Sequence, residues 1–216
     1  MDSPRRAARS FQPRRRGLPP TRQAEYEDRL HQWSLDVEGG VLRWPDVFPG
    51  APDDGRVVLD IGFGGGEGLI ELAAQRPHEF VVGVEVHTPG LARVLAAVAE
   101  HQWEHVRVVD GDVLDFLHRL APASLSAIRV WFPDPWLKNK QKHRRLVRPE
   151  LVAQLRELLR VGGELHVATD IDDYARHTER VMDAAEGFEG GVIPRPEWRP
   201  HTRLDRKSTR LTSSHT

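Results

Sequence analysis

Residues 57–66 read Val57-Val58-Leu59-Asp60-Ile61-Gly62-Phe63-Gly64-Gly65-Gly66, an apolar run that ends in a glycine-rich loop. The apolar part predicts a short buried strand, and the glycines allow the backbone to turn sharply and to approach a ligand. A helix is predicted to follow, and its N-terminal amides would face the same ligand. Glycine loops of this kind serve many cofactors, so the stretch indicates a cofactor site without identifying the cofactor.

Strands and helices alternate through the rest of the chain. The predicted strands are 57–61, 80–86, 106–109, 127–132 and 164–168, and the predicted helices are 24–35, 66–75, 88–100, 113–120, 149–159 and 171–185. Short strands separated by helices of this length indicate βαβ units. We therefore predict an α/β protein with a doubly wound, mostly parallel sheet of the Rossmann-like type.

Composition limits the possible classes of protein. A chain of 216 residues, 39% of them hydrophobic, predicts one domain with a substantial core. The absence of cysteine excludes disulfides, thiol nucleophiles and Cys-based metal sites, and it favours a cytoplasmic location. No membrane span or signal sequence is predicted. His101-Gln-Trp-Glu-His105 matches a zinc pattern but straddles a predicted helix end, so no metal site is expected.

The formal net charge of -1 conceals two basic segments. Residues 1–22 contain seven arginines and one acid, and residues 135–149 contain six lysines and arginines and no acid. Segregated positive charge on a near-neutral protein predicts a polyanionic partner. We expect residues 1–22 to form a basic, disordered arm because their prolines interrupt any amphipathic helix.

Acidic residues stand at the ends of three successive predicted strands. Asp60 precedes the glycine loop, where an acid suits the cationic sulfonium and ammonium groups of S-adenosylmethionine better than a pyrophosphate. Glu85 could bind both ribose hydroxyls, and Asp112 could accept a hydrogen bond from the adenine amino group. A dinucleotide fingerprint would require glycine where Glu67 stands. An NAD-dependent Rossmann oxidoreductase, with Glu85 on the ribose, remains the rival prediction.

A second distinctive stretch is Trp131-Phe132-Pro133-Asp134-Pro135-Trp136, followed by the second basic segment. The two prolines restrict the backbone on both sides of Asp134, just past the end of a predicted strand, where open α/β sheets bind their ligands. The stretch predicts a carboxylate directed at a nucleic acid. Trp136 or Phe132 could stack on an extruded base, although core packing is the favoured role for Phe132 and Trp131.

These motifs resemble those of the bacterial tRNA (guanine-N7)-methyltransferases, which are class I enzymes. The resemblance extends from about residue 16 to residue 204. The segments that carry it are Asp60-Ile-Gly-Phe-Gly, Gly83-Val-Glu-Val-His87, Phe132-Pro-Asp-Pro-Trp136, Lys138, Arg144-Arg145, Ala168-Thr-Asp170 and Arg199-Pro-His-Thr202. It implies transfer of a methyl group from S-adenosylmethionine to N7 of a guanine in the variable loop of tRNA.

The resemblance also implies roles for individual residues. Asp134 is expected to be the catalytic acid. The expected cofactor contacts are Asp60, Gly62, Gly64, Glu85, Asp112 and Asp134, and the expected substrate contacts are Lys138, Lys140, Lys142, Arg144, Arg145, Asp170, Thr202 and Arg203. Methylation of another RNA and a non-catalytic RNA-binding module remain alternatives. We expect tRNA as partner, no membrane, and a monomer or homodimer.

The chain departs from the family pattern in two places. Asp60 stands where many relatives carry glutamate, and Thr202-Arg203-Leu204-Asp205 stands in place of Thr-Lys-Phe-Glu. Residues 205–215 resemble, with one difference, the conceptual translation of a common sequencing adaptor. We therefore predict a methyltransferase domain at 23–204, a non-native tail at 205–216 and the loss of the native closing strand.

Overall fold

A computed structural model describes residues 18–51, 56–202 and 205, and the backbone of 212–215. Most of the predicted arm and the predicted substrate residue Arg203 lie outside these residues. The first helix begins at Pro20, within the predicted arm, because proline suits the first turn of a helix.

A seven-stranded sheet with the strand order β3-β2-β1-β4-β5-β7-β6 forms the centre of the fold. Its strands are β1 (Val57–Ile61), β2 (Phe80–Glu85), β3 (Val106–Asp110), β4 (Leu125–Trp131), β5 (Leu159–Ala168), β6 (Gly190–Ile193) and β7 (Thr212–His215). The first five strands are mutually parallel, whereas β7 runs antiparallel to both β5 and β6. The predicted doubly wound, mostly parallel sheet is confirmed.

Helices cover both faces of the sheet. They are α1 (Pro20–Trp33), α2 (Trp44–Val47), α3 (Glu67–Gln75), α4 (Thr88–His101), α5 (Val113–Phe116), α6 (Pro149–Leu158) and α7 (Asp172–Asp183). One core cluster joins α1, α3 and α4 to the sheet, and a second joins α2, α5, α6 and α7 to its other face. Neighbouring residues of β1 serve opposite clusters, as a strand covered on both faces requires.

A close backbone contact positions the glycine loop. A Cβ atom at Gly90, in the first turn of α4, would lie only 1.8 Å from the carbonyl oxygen of Gly64. The two elements could not approach each other in this way if residue 90 had a side chain. We expect Gly90→Ala to push α4 away from the loop.

The structure differs from the predictions at several element boundaries. The sheet edge that loss of the native closing strand would expose is occupied, since Thr212–His215 pairs with β5 and β6. Strands pair through backbone N–H and C=O groups, which every residue except proline carries in full. A polar segment can therefore pair as well as an apolar one. β5 begins at Leu159 instead of 164, and α2 lies where no helix is predicted. The non-native origin of 205–216 stays a prediction.

Two further findings concern the zinc pattern at His101 and His105 and membrane-spanning helices. His101 ends α4 and His105 lies beyond it, where its Nε2 is 3.1 Å from the carbonyl oxygen of Ala73. The two histidines therefore do not share a helix face. Within the described ranges, no helix combines the length and the apolarity needed to cross a bilayer.

Candidate active site

The carboxyl ends of the parallel strands bring most of the predicted site residues to one edge of the sheet. Gly62 and Gly64 follow β1 with φ angles of 72° and 60°, and a Cβ atom at either position would meet nothing within 4 Å. The loop therefore leaves its backbone open to a ligand. It leads directly into α3 through Gly66, which adopts a left-handed conformation.

Glu85 connects this loop to the end of β2. Its carboxylate accepts hydrogen bonds from the amides of Gly64 at 2.6 Å, Val86 at 2.7 Å and His87 at 3.0 Å. Burial raises the pKa of Glu85, although these three amides act in the opposite direction. A carboxylate has about four lone-pair positions. The side chain thus holds the loop and retains acceptor capacity for a further donor such as a ribose hydroxyl.

Asp60 lies one residue before the end of β1 and is 2% exposed. Burial raises the pKa of its carboxyl group to about 6, against the opposing charge of Arg129 and with a further increase from Glu85. Arg129 is its cross-strand partner on β4. An additional cation close to Asp60 would favour the charged carboxylate.

Arg129 begins a buried polar cluster that runs across β4 and β5. It donates a hydrogen bond of 2.8 Å to Glu79 and lies beside His166, its partner on β5. Burial, together with the charges of Arg199 and Arg129, lowers the pKa of His166 to about 3, so the ring is neutral. Its Nδ1 accepts a hydrogen bond of 2.7 Å from Trp131 Nε1. The cluster fixes the orientation of Trp131 directly before the Asp134 motif.

Asp112 and Asp170 lie in the turns that follow β3 and β5. Asp112 caps α5, accepting a hydrogen bond of 3.1 Å from the amide of Leu114. Asp170 is half-buried between β5 and α7, next to Thr169, whose hydroxyl accepts a hydrogen bond from the Ile171 amide. Both acids therefore stand at the same sheet edge as the glycine loop.

Asp134 follows β4 and is partly exposed between two residues with unusual backbones. Phe132 has a φ of 54° and Trp136 a φ of 44°, which bulky side chains rarely adopt. The Phe132 amide donates a hydrogen bond of 2.7 Å to the Ala168 carbonyl, which ties the motif to the end of β5. Backbone strain of this kind persists where the surrounding structure requires it, and it concentrates at functional sites.

The Pro135 carbonyl is held by Arg145, which donates to it through Nε at 3.0 Å. The Arg145 side chain is only 1% exposed and also forms an ion pair with Asp173. The sequence predicts that Arg145 contacts the RNA substrate. The structure instead buries its side chain, so it is not available to RNA. Its position inside the fold gives it a structural task, which is to anchor the Asp134 turn.

The rest of the basic segment differs from residue to residue. Lys138 and Lys140 are exposed, whereas Lys142 is bound to Asp173 at 3.1 Å. The guanidinium carbon of Arg144 lies 4.0 Å from the ring centroid of Trp136, and the indole is only 4% exposed. Charge at this surface is thus concentrated on the two lysines, while Arg144 covers an aromatic ring.

The segment before residue 205 brings Thr202 to α3. A methyl group on Gly68 would lie 3.7 Å from both Thr202 Cγ2 and the Trp131 ring. Asp205 accepts hydrogen bonds from the Thr202 amide at 2.8 Å, from its hydroxyl at 2.7 Å, and from Arg199. Burial acts to raise the pKa of Asp205, but the bonds from Arg199 and Thr202 outweigh it and hold the pKa low.

The sequence did not predict the supporting roles of Arg129 and Arg199, two buried arginines behind the site. Arg199 is 2% exposed and stacks on both Trp131 and Phe132, with centroid distances of 5.6 and 5.5 Å. It therefore connects Asp205 and Thr202 to the Asp134 motif. An arginine inside an apolar strand, as at Arg129, was the available signal, because such a residue requires a buried partner.

The sequence of the chain is similar to those of known methyltransferases. Residues 54–215 match a family model described as putative methyltransferase. The chain is 41% identical over 161 residues to a tRNA (guanine-N(7)-)-methyltransferase of Aeromonas hydrophila, a match that covers 72% of this chain and 68% of that protein. It is 38% identical to the enzyme of that name from Marinobacter nauticus, over 96% of this chain and 88% of the relative.

Solved structures show the same fold at low sequence identity. The aminoglycoside resistance methyltransferase NpmB1 superimposes with a TM-score of 0.54 at 19% identity, covering 82% of this chain and 95% of that one. The antibiotic-resistance methyltransferase Kmr gives a TM-score of 0.54 at 18% identity, covering 85% and 98%.

Proposed function

The chain belongs to the tRNA (guanine-N7)-methyltransferase family, and on that premise we propose how its own residues carry out the reaction. It transfers a methyl group from S-adenosylmethionine to N7 of a guanine in tRNA. The observation that carries the proposed roles is the position of Asp60, Glu85 and Asp134 at the carboxyl ends of three neighbouring parallel strands, where an open glycine loop follows the first of them. A variable-loop guanine is the proposed target.

The residues at this edge fit S-adenosylmethionine. Gly62 and Gly64 leave room for close approach, and Glu85 is proposed to take the ribose hydroxyls while it holds the loop. Asp60 is proposed to face the positive end of the cofactor, and Asp112 the adenine. When bound, S-adenosylmethionine supplies an activated methyl group on a cationic sulfur.

Guanine N7 has an in-plane lone pair and carries no proton, so the reaction requires no general base before attack. The N7–methyl bond forms as the methyl–sulfur bond breaks, and the positive charge passes to the purine. Catalysis then depends on alignment and on stabilisation of that charge. We propose that Asp134 orients the base edge and offsets the growing charge, and that its strained, proline-flanked turn keeps the carboxylate in place.

Methyl incorporation into tRNA tests the proposed function. The full chain is incubated with radiolabelled S-adenosylmethionine and unmodified tRNA, and the digested product is analysed for 7-methylguanosine. We expect label in that nucleoside alone. Label in another nucleoside would contradict the proposed target atom, and binding of tRNA without any transfer would support a non-catalytic RNA-binding module.

Asp60 provides a prediction that depends on pH. Its carboxyl pKa of about 6 lies above the usual value of about 4, so between those two pH values the folded protein keeps a proton that the unfolded chain has released. The stability that this proton contributes is present at low pH and is lost as the pH rises through about 6. Asp60→Asn should therefore be more stable than wild type at pH above 6, by on the order of 2 kcal/mol, and the difference should shrink in more acidic buffer.

The same variant is expected to bind S-adenosylmethionine at least about 10-fold more weakly, because one charge-assisted contact worth about 1.5–3 kcal/mol is lost. Urea unfolding and titration calorimetry measure the two effects. Asp183→Asn, at an exposed position near the end of α7, is the matched control and should change neither. A less stable Asp60→Asn at neutral pH, or unchanged affinity, would contradict the proposed role.

Salt dependence provides a prediction for the lysines. Lys138 and Lys140 are exposed beside the Asp134 motif, and we propose that each contacts a phosphate. Lys138→Ala and Lys140→Ala should each reduce the slope of log affinity for tRNA against log salt by about 0.7–0.9. Arg56→Ala removes the same charge at the opposite edge of the sheet and serves as control. Slopes equal to that of the control would contradict the contact.

Because its proposed substrate is tRNA, we propose that this protein is located in the cytoplasm. The oligomeric state, a monomer or a homodimer, stays a prediction.

A further inference from the structure

Arg144 covers one face of the Trp136 ring. Its guanidinium carbon is 4.0 Å from the Trp136 ring centroid. The other guanidinium contacts described for aromatic rings lie at 5.0–5.9 Å. At 4.0 Å the planar group is in direct stacking contact with the indole, and Trp136 is only 4% exposed as a result of this and its other packing.

Trp136 and Arg144 differ in burial and in backbone setting. Trp136 has a φ of 44° and follows Pro135, whose carbonyl is fixed by the buried Arg145. Arg144 is half-buried and ends the 3₁₀ helix Asn139–Arg144, which has no buried residue. Displacement of Arg144 would uncover the ring face over which its guanidinium lies.

The reaction forms a second kind of planar cation. Methylation of N7 converts neutral guanine into a purine that carries a positive charge. The face of a tryptophan attracts a cation by its quadrupole, and tryptophan does so better than the other aromatic residues. The face that holds a guanidinium in the free protein is therefore suited to the charged purine, and it should bind that purine better than neutral guanine.

We propose that Arg144 occupies the position of the target base in the free enzyme, that the incoming guanine displaces it, and that Trp136 then stabilises the charge formed on the purine. The displaced guanidinium becomes available to the tRNA backbone. This inference rests on the proposed function. It adds two residues to the site of Asp134, namely Arg144, which occupies the position of the base, and Trp136, whose ring binds the charged purine. Trp136 acts on the reacting base, while Arg144 acts by competing for its place.

Nucleotide binding separates this proposal from a simple RNA contact. The probes are 7-methylguanosine monophosphate and guanosine monophosphate, titrated into the full chain and followed by Trp136 fluorescence, taken as wild type minus Trp136→Phe. In Arg144→Ala the competitor is gone, so affinity for the methylated nucleotide should rise by about 3- to 10-fold. Affinity for tRNA should fall in the same variant because a positive charge is lost. The two effects have opposite signs.

Arg56→Ala is the matched control, since it removes one arginine charge at an exposed position that precedes β1 and has no proposed contact with RNA. It should leave tRNA binding and both nucleotide affinities unchanged. The preference for the methylated nucleotide over the unmethylated one should decrease from tryptophan to Trp136→Phe to Trp136→Leu, measured by competition against radiolabelled nucleotide. Phenylalanine keeps a ring in place, which separates loss of the aromatic face from loss of packing.

Unchanged or weaker binding of the methylated nucleotide in Arg144→Ala, including no binding at all, would overturn the proposal. A Trp136→Leu variant that folds and keeps the full preference would overturn it as well. Failure of the proposed function would look different, because wild type would then form no 7-methylguanosine in tRNA. Normal methyl transfer together with a negative nucleotide result removes only the inference about Arg144 and Trp136.

Discussion

Replacing Asp134 with asparagine is expected to lower the single-turnover rate of methyl transfer to tRNA by about 100- to 1000-fold, the usual effect of losing one preorganised electrostatic group. Asparagine keeps the shape of the side chain and removes its charge. The carboxylate can then no longer offset the positive charge that develops on the purine. Because the variant preserves the proline-flanked turn, the loss should come from chemistry and not from folding.

Two measurements separate this effect from weaker binding. Affinity for S-adenosylhomocysteine should remain within about 3-fold of wild type if the role of Asp134 is on the acceptor side, a difference of under 1 kcal/mol. The unfolding midpoint should also be unchanged. Asp183→Asn, far along α7 and exposed, serves as the matched control. A large loss of cofactor affinity would show that Asp134 contacts the cofactor, which is the other role that the family resemblance implies for it.

Asp205→Ala is expected to produce the largest loss of stability, about 3 kcal/mol or more. Asp205 and its ion-pair partner Arg199 have side chains that are 9% and 3% exposed, so the variant leaves a buried guanidinium without its carboxylate. The Thr202 amide and hydroxyl lose their acceptor as well. Chemical denaturation measures the free energy of unfolding, and methyl transfer should fall in parallel because Thr202 is no longer held beside α3.

The double variant Arg199→Met with Asp205→Leu provides the control. It removes both charges together and replaces them with apolar side chains of similar volume, which is often tolerated in buried positions. We expect it to recover at least part of the stability lost in Asp205→Ala. A single variant as stable as wild type would show that the ion pair does not hold this segment.

The sheet could be predicted from sequence because its signals are local. Apolar runs such as 127–132 and the glycine loop after β1 determine strands and a turn without reference to distant residues. The acids at strand ends were found for the same reason, since parallel strands bring their carboxyl ends to one edge. The pairing of Thr212–His215 was not predictable in this way, because backbone hydrogen bonds leave little trace in the side-chain pattern.

The supporting shell of the site could not be predicted because it depends on contacts between distant segments. Arg144 and Arg145 are neighbours in an unbroken basic run, yet one stacks on Trp136 and the other is buried against Pro135 and Asp173. Both are arginines in the same basic run, so the sequence alone does not distinguish their roles. Only the packing of α7 against the Asp134 turn gives them different tasks, and that packing is a property of the folded chain.

The most direct test of the account is the quantity of 7-methylguanosine formed in unmodified tRNA during a single turnover, compared between wild type and Asp134→Asn. Both proteins are first saturated with S-adenosylmethionine and their tRNA affinities are measured. We expect wild type to form 7-methylguanosine and the variant to form it at least about 100-fold more slowly, at similar affinities for both ligands. Equal rates for the two proteins would contradict it.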